Sequence, residues 1–363
     1  MVSVLLAGGG TAGHVNPLLA VAAELLRRDA GSTLRVLGTR EGLEATLVPA
    51  AGLELDVVPR VPLPRRPSLD LVRVPARLRA AVRAAGESID ASGAQVVVGF
   101  GGYVAAPAYL AARRRGIPVV VHEANAHPGL ANRLGARWAA AVAVTVPGTP
   151  LRDAVLTGLP LRPEIAELVA ARESDPQGAR GAALADLGLD PTRRTLLVTG
   201  GSLGAQSLNR VLAATASELV ASGWQVLHLT GAGKAEEVRS AAPTEHYHVR
   251  EYLTEMHLAY AAAELVVCRA GAGTVSELAA LGMPAVYVPL PIGNGEQRRN
   301  AAAVVAAGGG ILVADRDLTP EWVREHVVGI DGDALGSMAR AAAGAGIRDG
   351  ASRVADLVGG VLP

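Results

Sequence analysis

Short apolar runs alternate with longer stretches of helical character along most of this chain, and most runs end in glycine or a polar residue. Buried strands that alternate with helices in this way are typical of parallel sheets covered by helices. Ligands of such sheets bind beyond the carboxyl ends of the strands, where the chain turns into the next helix. The pattern therefore predicts an α/β fold and directs the search for a site to the strand-to-helix turns.

The apolar runs fall into two groups. Five predicted strands lie in the first half (VSVLLAG, TLRVLG, QVVVGFG, PVVVHEA and AVAVT) and six in the second (TLLVTGG, WQVLHLTG, HYHVREY, ELVVCRAG, PAVYVPL and ILVAD). Residues 163–194 contain no convincing strand, and 363 residues exceed the usual size of one core. We predict an N-terminal domain at 1–161, a C-terminal domain at 162–344 and a final helix at about 345–363 that packs back on the first domain.

Charge and cysteine content argue against several functions. The 34 Lys and Arg residues balance 34 Asp and Glu residues and aromatic residues make up only 3%, which disfavours a nucleic-acid partner. The single cysteine, Cys268, cannot form an intramolecular disulfide or a multi-cysteine zinc site, and we expect no bound metal. The sequence has no signal-peptide pattern and no uninterrupted run of about eighteen apolar residues, so we expect a cytoplasmic protein.

The segment GGGTAGHVNP follows the first predicted strand, and its glycines Gly8, Gly10 and Gly13 match G-x-G-x-x-G. A glycine-rich turn that opens a helix presents backbone N–H groups and the positive end of the helix dipole, so it suits a phosphate. A dinucleotide site should also have an acidic residue at the tip of the second strand, where this chain has Arg40. An arginine there suits NADP, so a nucleotide-dependent oxidoreductase, or a nucleotide sensor, is weakened but stays open.

His14 directly follows the last of these glycines, in the first turn of the predicted helix. A helix N-terminus disfavours the imidazolium, and a neutral imidazole can accept a proton near pH 7. A general base is therefore one hypothesis for His14. The alternative is that His14 caps the turn or hydrogen-bonds a ligand.

Two further segments of the first half place polar or glycine residues after a strand. The glycines of GFGGYVAAP, at positions 99, 101 and 102, either relieve a tight turn or receive a ligand. His122, Glu123 and Asn125 end the strand PVVVHEA, where polar side chains are more often ligand contacts than core residues.

The second half offers a comparable set. Ser202 and Gly204 open a helix in a way that suits a phosphate. Glu277 lies early on the helix after CRAGAG, where its carboxylate either accepts both hydroxyls of a ribose or stabilises the helix start. The amides of Gln297 and Asn300 could read sugar hydroxyls, or could simply be polar residues at a helix start.

Seven segments taken in order resemble the MurG family of peptidoglycan glycosyltransferases: GGGTAGHVNP, GFGGYVAAP, HEANAHPGLANR, GLPLR, GGSLGA, RAGAGTVSELAALGMPAVYVPLP and EQRRNA. The resemblance spans about residues 3–315. It implies a GT-B fold, in which two Rossmann-like domains with mostly parallel sheets face each other across a cleft. The C-terminal domain would hold the sugar donor, and the N-terminal domain would face the membrane and the lipid acceptor.

The resemblance also implies a reaction. N-acetylglucosamine would pass with inversion from UDP-N-acetylglucosamine to the muramyl sugar of undecaprenyl-pyrophosphoryl-MurNAc-pentapeptide (lipid I), giving lipid II for cell-wall synthesis. No cofactor or metal would be required. The alternative is another GT-B UDP-sugar glycosyltransferase or a UDP-sugar epimerase.

Roles for donor-binding residues follow from the same resemblance. Arg162 and Ser202 would hold the donor diphosphate, Leu253 would present its backbone to uracil, and Glu277 would bind the ribose. Asn125 and Gln297 would face the amino sugar. The full implied donor set is Thr11, Ala12, Gly13, Asn125, Arg162, Ser202, Leu253, Ala272, Gly273, Thr274, Val275, Ser276, Glu277 and Gln297.

On the acceptor side, chemistry and resemblance together favour His14 as the catalytic base. The acceptor pyrophosphate would be bound by Gly101, Gly102, Tyr103 and Asn16. Two residues depart from the family pattern. Ala12 stands where the family commonly has glycine, and Asn16 stands at a position that is often aromatic.

Residues 60–83 carry seven arginines and one acidic residue, Asp70. A helical wheel places Leu71, Val74, Leu78 and Val82 on one face and Arg73, Arg77 and Arg83 on the other. Pro75 predicts that the helix begins there. The pattern fits either an anionic membrane surface or an ordinary helix that covers a sheet. We therefore expect a peripheral protein at the inner face of a bacterial cell membrane, with cell-wall synthesis and division proteins as partners.

Overall fold

The computed structural model divides the chain into two compact units. The N-terminal unit consists of residues 1–162 and 348–363, and the C-terminal unit of residues 163–347. The residues that the structure describes are 2–61, 70–201, 204–242, 245–292 and 294–362, with the backbone alone for 70–73. The predicted boundary near residue 161 lies beside this division.

The N-terminal unit contains one parallel sheet. Its strands are β1 (Ser3–Gly8), β2 (Thr33–Gly38), β3 (Glu54–Val57), β4 (Val96–Gly101), β5 (Val119–Glu123), β6 (Ala141–Val144) and β7 (Ala154–Leu156). Within the described residues their order is β3-β2-β1-β4-β5-β6-β7. The helices of this unit are α1 (Ala12–Arg28), α2 (Glu44–Ala50), α3 (Asp70–Ser92), α4 (Ala105–Arg115), α5 (Leu130–Gly135) and, at the end of the chain, α16 (Gly350–Gly360).

The C-terminal unit repeats this design. Its strands are β8 (Arg194–Thr199), β9 (Trp224–Leu229), β10 (Tyr247–Arg250), β11 (Leu265–Cys268), β12 (Ala285–Tyr287) and β13 (Gly310–Leu312), in the parallel order β10-β9-β8-β11-β12-β13 over the described residues. Its helices are α6 (Pro163–Ser174), α7 (Pro176–Leu187), α8 (Gln206–Ala214), α9 (Ala216–Ala221), α10 (Ala235–Ala241), α11 (Met256–Ala262), α12 (Ala272–Ala280), α13 (Glu296–Ala306), α14 (Pro320–Val323) and α15 (Gly332–Ala345), with one π-helical turn at Arg324–Val328.

Alternation along β1 creates two cores in the N-terminal unit. Leu5 and Ala7 are buried in a cluster that includes residues of α3 and α4. Val4 and Leu6 are buried on the other face, in a cluster with residues of α1 and α16. The final helix therefore packs against the first sheet, and Arg28 on α1 forms an ion pair of 2.6 Å with Asp356 on α16.

All the strands predicted from the sequence are present, but two of the observed strands were not predicted. These are β3 (ELDV) and β7 (AVL), which form the two edges of the N-terminal sheet and are largely not buried. A short edge strand has only one neighbouring strand and can carry polar residues, so its sequence lacks the apolar run of a central strand.

The basic segment folds as α3, which begins at Asp70, so the prediction that this helix begins at Pro75 is wrong. Pro75 is the sixth residue of this helix, so the helix continues through a residue that more often marks a helix start. Val82 and Ile89 are buried in the core and Leu78 packs against it, so this part of the apolar face covers the sheet. The side chains predicted at positions 71 and 73 lie outside the described residues. Over the described residues, no helix combines the length and apolar character needed to cross a membrane.

Candidate active site

The strand order of the N-terminal sheet reverses between β1 and β4, and crevices at such points bind ligands in open α/β sheets. The structure brings the first glycine-rich turn, His14 and the turn after β4 together here. Gly8 pairs with Gly101, and a Cβ added at Gly101 would lie 3.1 Å from Nε2 of His14. The sequence prediction placed these same turns at one sheet edge.

His14 is half-buried, and its ring is held by the turn that precedes it. Nδ1 lies 3.1 Å from the carbonyl oxygen of Gly9 and 3.2 Å from Oγ1 of Thr11. Because a carbonyl oxygen can only accept, the contact with Gly9 requires the hydrogen on Nδ1. In the neutral ring, Nε2 then carries the lone pair, and the ring edge that bears it faces Gly101.

The start of α1 also suits an anionic group. Thr11, Ala12 and Gly13 are exposed, and the side chain of Thr11, the N-cap residue, makes no capping hydrogen bond. The first N–H groups of a helix have no partner within the helix, so a ligand can accept hydrogen bonds from them.

Glu44, on α2, is a residue that the sequence reasoning missed. Its side chain is fully buried, and its Oε2 accepts a hydrogen bond of 2.8 Å from the N–H of Gly10. Its Oε1 accepts from the N–H and the hydroxyl of Thr39, at 2.9 and 2.7 Å. Burial alone raises the pKa of Glu44, but the hydrogen bonds from Gly10 and Thr39 outweigh it and hold this pKa below its ordinary value. Glu44 is therefore a buried carboxylate at neutral pH.

This carboxylate changes the interpretation of the opening motif. The turn was expected to offer its N–H groups to a phosphate, but the N–H of Gly10 already donates to Glu44. A dinucleotide phosphate that accepted from the same N–H would have to displace a buried negative charge. The NADP interpretation loses support for this reason. A carboxylate soon after the second strand, in REGLEATLVP, was the available sequence signal.

The glycines after β4 differ in their roles. A Cβ at Gly99 would collide with the buried ring of Tyr109, so Gly99 serves packing. Gly102, at φ +80°, has the carbonyl oxygen of Gly9 where a Cβ would stand. Neither alternative therefore describes Gly99, which packing within β4 requires, whereas Gly102 shapes the site.

Two more residues of the predicted acceptor set lie on this unit. Tyr103 is 44% exposed, and the guanidinium of Arg60 stacks over its ring at 5.3 Å. Both side chains line a small cavity of about 70 Å³ beside Gly9 and Gly10. Asn16, on α1, is half-buried.

His122 and Glu123, which the sequence placed among the candidate ligand contacts, are both buried. His122 is fully buried, and burial lowers its pKa to about 4, so its ring is neutral. Glu123 accepts hydrogen bonds from the backbone of Asn125 and Gly129 and from the side chain of Asn132, at 2.9, 3.0 and 2.9 Å. These contacts shape the loop that carries Asn125, whose side chain is half-buried.

In the C-terminal unit the strand order reverses between β8 and β11. The turn after β8 leads into α8, and Ser202 in this turn lies outside the described residues. The turn after β11 leads into α12, whose N-cap residue Gly271 provides no side-chain cap. Arg269 joins the two turns, because its Nη2 donates to Oγ of Ser207 at 3.0 Å.

The predicted nucleotide-binding segment forms the first turns of α12. Its residues differ in exposure: Ala272, Val275 and Glu277 are 7%, 4% and 8% exposed, and Gly273, Thr274 and Ser276 are half-buried. Ala272 and Val275 could meet a ligand mainly through their backbone. Leu253, half-buried, follows β10 at the same edge of the sheet.

Arg269 is a second residue that the sequence reasoning missed. Its Nη1 donates to Oδ1 of Asp315 at 2.5 Å and to the carbonyl oxygen of Val288 at 3.1 Å. This side chain therefore joins the ends of β11 and β12 to the loop after β13. Its sequence signal was an arginine placed directly after the buried strand LVVC.

Gln297, predicted to face a sugar, hydrogen-bonds the backbone at the same edge of the C-terminal sheet. Its Oε1 accepts from the N–H of Ala270 at 3.2 Å and from that of Leu290 at 2.9 Å. The amide of Asn300 is buried and donates to the carbonyl oxygen of Ala270 at 3.3 Å. Both lone pairs of the Gln297 oxygen are engaged, so a sugar could meet only its NH₂ group.

The remaining member of the predicted donor set, Arg162, is the last residue of the first segment of the N-terminal unit and is half-buried. The predicted donor residues thus fall in both units. Across the described residues, no group of three or more His, Cys, Asp or Glu side chains is placed to hold a metal ion.

Comparisons with known proteins agree with this architecture. The glycosyltransferase family 28 N-terminal domain matches residues 4–144, and the glycosyltransferase family 28 C-terminal domain matches residues 195–354. A relative from Clavibacter sepedonicus, named UDP-N-acetylglucosamine–N-acetylmuramyl-(pentapeptide) pyrophosphoryl-undecaprenol N-acetylglucosamine transferase, is 59% identical over 99% of this chain and 96% of its own. The chain therefore belongs to glycosyltransferase family 28.

Solved structures refine this assignment. The crystal structure of Acinetobacter baumannii MurG matches 99% of this chain and 100% of its own, with a TM-score of 0.79 and 28% identity. The resemblance to the MurG family and the GT-B fold class with two Rossmann-like domains are thereby confirmed. A UDP-GlcNAc 2-epimerase from Neisseria meningitidis matches 99% of both chains with a TM-score of 0.69 but 15% identity, which shows a shared fold alone.

Proposed function

We propose that this glycosyltransferase transfers N-acetylglucosamine from UDP-N-acetylglucosamine to the muramyl sugar of undecaprenyl-pyrophosphoryl-MurNAc-pentapeptide, which forms lipid II for peptidoglycan. The observation that carries the proposal is 59% identity, over nearly the whole chain, to a relative named for this reaction. The geometry supports it, because each unit has a glycine-rich turn at the reversal point of its sheet. Two such turns suit a reaction between two pyrophosphate-bearing substrates.

For the donor, we assign the edge of the C-terminal unit around α12. The uncapped helix start after Gly271 offers N–H groups to the nucleotide, and Glu277 accepts hydrogen bonds from the ribose hydroxyls. Ser202 and Arg162 hold the diphosphate. Negative charge grows on UDP as it departs, so these donors bind more strongly in the transition state than before it.

Other residues complete the donor site in this proposal. Leu253 presents its backbone to uracil, residues 272–276 line the nucleotide, and residues 11–13 close over the reacting centre. Asn125 and the NH₂ group of Gln297 face the amino sugar, because the oxygen of Gln297 is engaged by the backbone.

For the acceptor, residues 101–103 and Asn16 bind the pyrophosphate next to His14. The acceptor hydroxyl oxygen attacks the anomeric carbon, the bond to the UDP oxygen breaks, and the hydroxyl proton passes to Nε2 of His14. This nitrogen suits the role because the contact of Nδ1 with Gly9 leaves the lone pair on Nε2. The reaction balances with no cofactor or metal, and we propose that none is required.

Transfer of radiolabelled N-acetylglucosamine to a lipid I analogue tests the function. Wild-type protein is expected to give a labelled, lipid-soluble disaccharide product. The His14→Ala variant is expected to lower kcat about 10² or more while it binds UDP-N-acetylglucosamine as the wild type does. Epimerised UDP-sugar formed without an acceptor, or thermal stabilisation by NADP in place of UDP-N-acetylglucosamine, would contradict the proposal.

We also propose that the protein works at the inner surface of the cell membrane, where its lipid acceptor lies. The outer side of α3 carries the exposed residues Arg79 and Arg83, and α4, which packs beside α3, ends with three exposed arginines at 113–115. Since the apolar face of α3 over residues 78–89 covers the sheet, attraction of arginines to anionic lipids supplies the binding. Partners among the cell-wall synthesis and division proteins would meet the enzyme there.

A further inference from the structure

One peptide group connects two titratable side chains of the N-terminal site, His14 and Glu44. The carbonyl oxygen of Gly9 accepts from Nδ1 of His14 at 3.1 Å. The N–H of Gly10, which belongs to the same peptide group, donates to Oε2 of Glu44 at 2.8 Å. A peptide group is planar and rigid, so fixing its N–H also fixes the direction of its carbonyl.

We propose that Glu44 is a positioning residue that holds His14 in its reactive form through the peptide group between Gly9 and Gly10. This inference rests on the proposed function, in which Nε2 of His14 takes the acceptor proton. Glu44 does not touch the reacting atoms. It acts by fixing the orientation and tautomer of the imidazole.

The chemistry of the contact supports this role. A carboxylate that accepts from an amide N–H polarises the amide, and its carbonyl oxygen becomes a stronger acceptor. That oxygen binds the hydrogen of Nδ1, which leaves the lone pair on Nε2. In Ser-His-Asp triads a buried carboxylate holds its histidine by direct contact. Here a peptide group stands between the two side chains.

The surroundings of the peptide group leave it little freedom. Thr39 holds the other oxygen of Glu44 with two hydrogen bonds, so the carboxylate cannot rotate away. Any Cβ at Gly9 or Gly42 would collide with the Glu44 side chain, and one at Gly102 would collide with the carbonyl oxygen of Gly9. Glu44 and Gly102 thus enclose the peptide group from two sides.

A carboxylate that merely closes the turn would stabilise the unit without affecting the imidazole. The test must therefore measure the tautomer of the His14 ring directly. Glu44→Gln keeps the size of the side chain but removes its charge, and its NH₂ group opposes the N–H of either Gly10 or Thr39. The matched control is Glu24→Gln, which removes a carboxylate from α1 that pairs with Arg27 and Arg28 and does not contact this turn.

Two properties are measured. The first is the pair of ring ¹⁵N chemical shifts of His14, which are assigned because they are absent in His14→Gln. The second is kcat together with KM for UDP-N-acetylglucosamine. In wild-type protein at alkaline pH we expect hydrogen on Nδ1. In Glu44→Gln we expect a shift toward the Nε2–H tautomer, which a solvent-exposed histidine side chain favours, with kcat about tenfold lower and KM for the donor unchanged. Glu24→Gln is expected to match the wild type in each measurement.

A second variant covers the case in which Glu44→Gln does not fold. In Gly102→Ala the new Cβ would collide with the carbonyl oxygen of Gly9 from the side opposite Glu44 and displace it. We expect the same change of the His14 tautomer. A wild-type tautomer and kcat in Glu44→Gln, or a tautomer unchanged in Gly102→Ala, would overturn the inference. The tautomer is measured without turnover, so absence of transfer by wild-type protein would refute the proposed function separately.

Discussion

Replacing Glu44 by Gln also makes a quantitative prediction about stability. The carboxylate accepts three hydrogen bonds, from the N–H of Gly10 and from the N–H and hydroxyl of Thr39. A glutamine oxygen can serve only one of these two residues fully, and its NH₂ group faces an N–H of the other. One hydrogen bond to a charged acceptor contributes about 1.5–3 kcal/mol, and removal of the buried charge offsets part of its loss. We expect a net loss of about 2 kcal/mol in the free energy of unfolding.

The pH dependence of this loss follows from the lowered pKa of Glu44. A carboxyl group whose pKa is lower in the folded state than its ordinary value of 4.5 contributes stability that is complete above that value. The contribution declines as the pH falls through the lower, folded-state pKa. The difference between wild type and Glu44→Gln should therefore stay constant between about pH 6 and pH 8 and shrink below about pH 4.

Thermal and urea unfolding of the two proteins, at several pH values, measure this difference. For a unit of this size, about 2 kcal/mol corresponds to a fall in Tm of about 4–8 °C. If burial outweighed the hydrogen bonds, the pKa of Glu44 would be raised. The wild type would then lose its advantage as the pH rose above the ordinary value of 4.5. That result, or equal stability of both proteins at pH 7, would refute the reasoning.

Two further predictions concern the core and the basic surface of the N-terminal unit. Tyr109→Phe leaves the buried Oδ1 of Asn132 without the hydroxyl that donates to it at 2.8 Å. Urea unfolding should show that the free energy of unfolding falls by about 1–2 kcal/mol. An unchanged midpoint would contradict the buried contact. Charge reversal of Arg79 and Arg83 should lower cosedimentation with phosphatidylglycerol vesicles, whereas reversal of Arg316, exposed in the C-terminal unit, should not. Undiminished sedimentation of the Arg79 and Arg83 variant would refute the membrane proposal.

The sequence predicted the strands of both sheets well because central parallel strands are buried on both faces and read as apolar runs. It missed β3 and β7 because short edge strands lack that signal. It misplaced the start of α3 because proline is most common in the first turn of a helix, whereas this helix begins five residues before Pro75.

At the site, the sequence identified the turns but not the contacts within them. The glycine pattern located the turn with His14, yet it could not show that Gly10 donates to a carboxylate more than thirty positions further along the chain. Nor could it show that the oxygen of Gln297 is engaged by the backbone of Ala270 and Leu290. Such contacts depend on which loops meet at a sheet edge, and only the strand order determines this.

The central claim is that the donor binds to the C-terminal unit and that the opening glycine-rich turn serves the acceptor. A crystal structure of the protein with UDP tests it most directly. The account predicts uridine at the start of α12, with its ribose hydroxyls on the carboxylate of Glu277. UDP bound at residues 8–14, with Glu277 uncontacted, would contradict it.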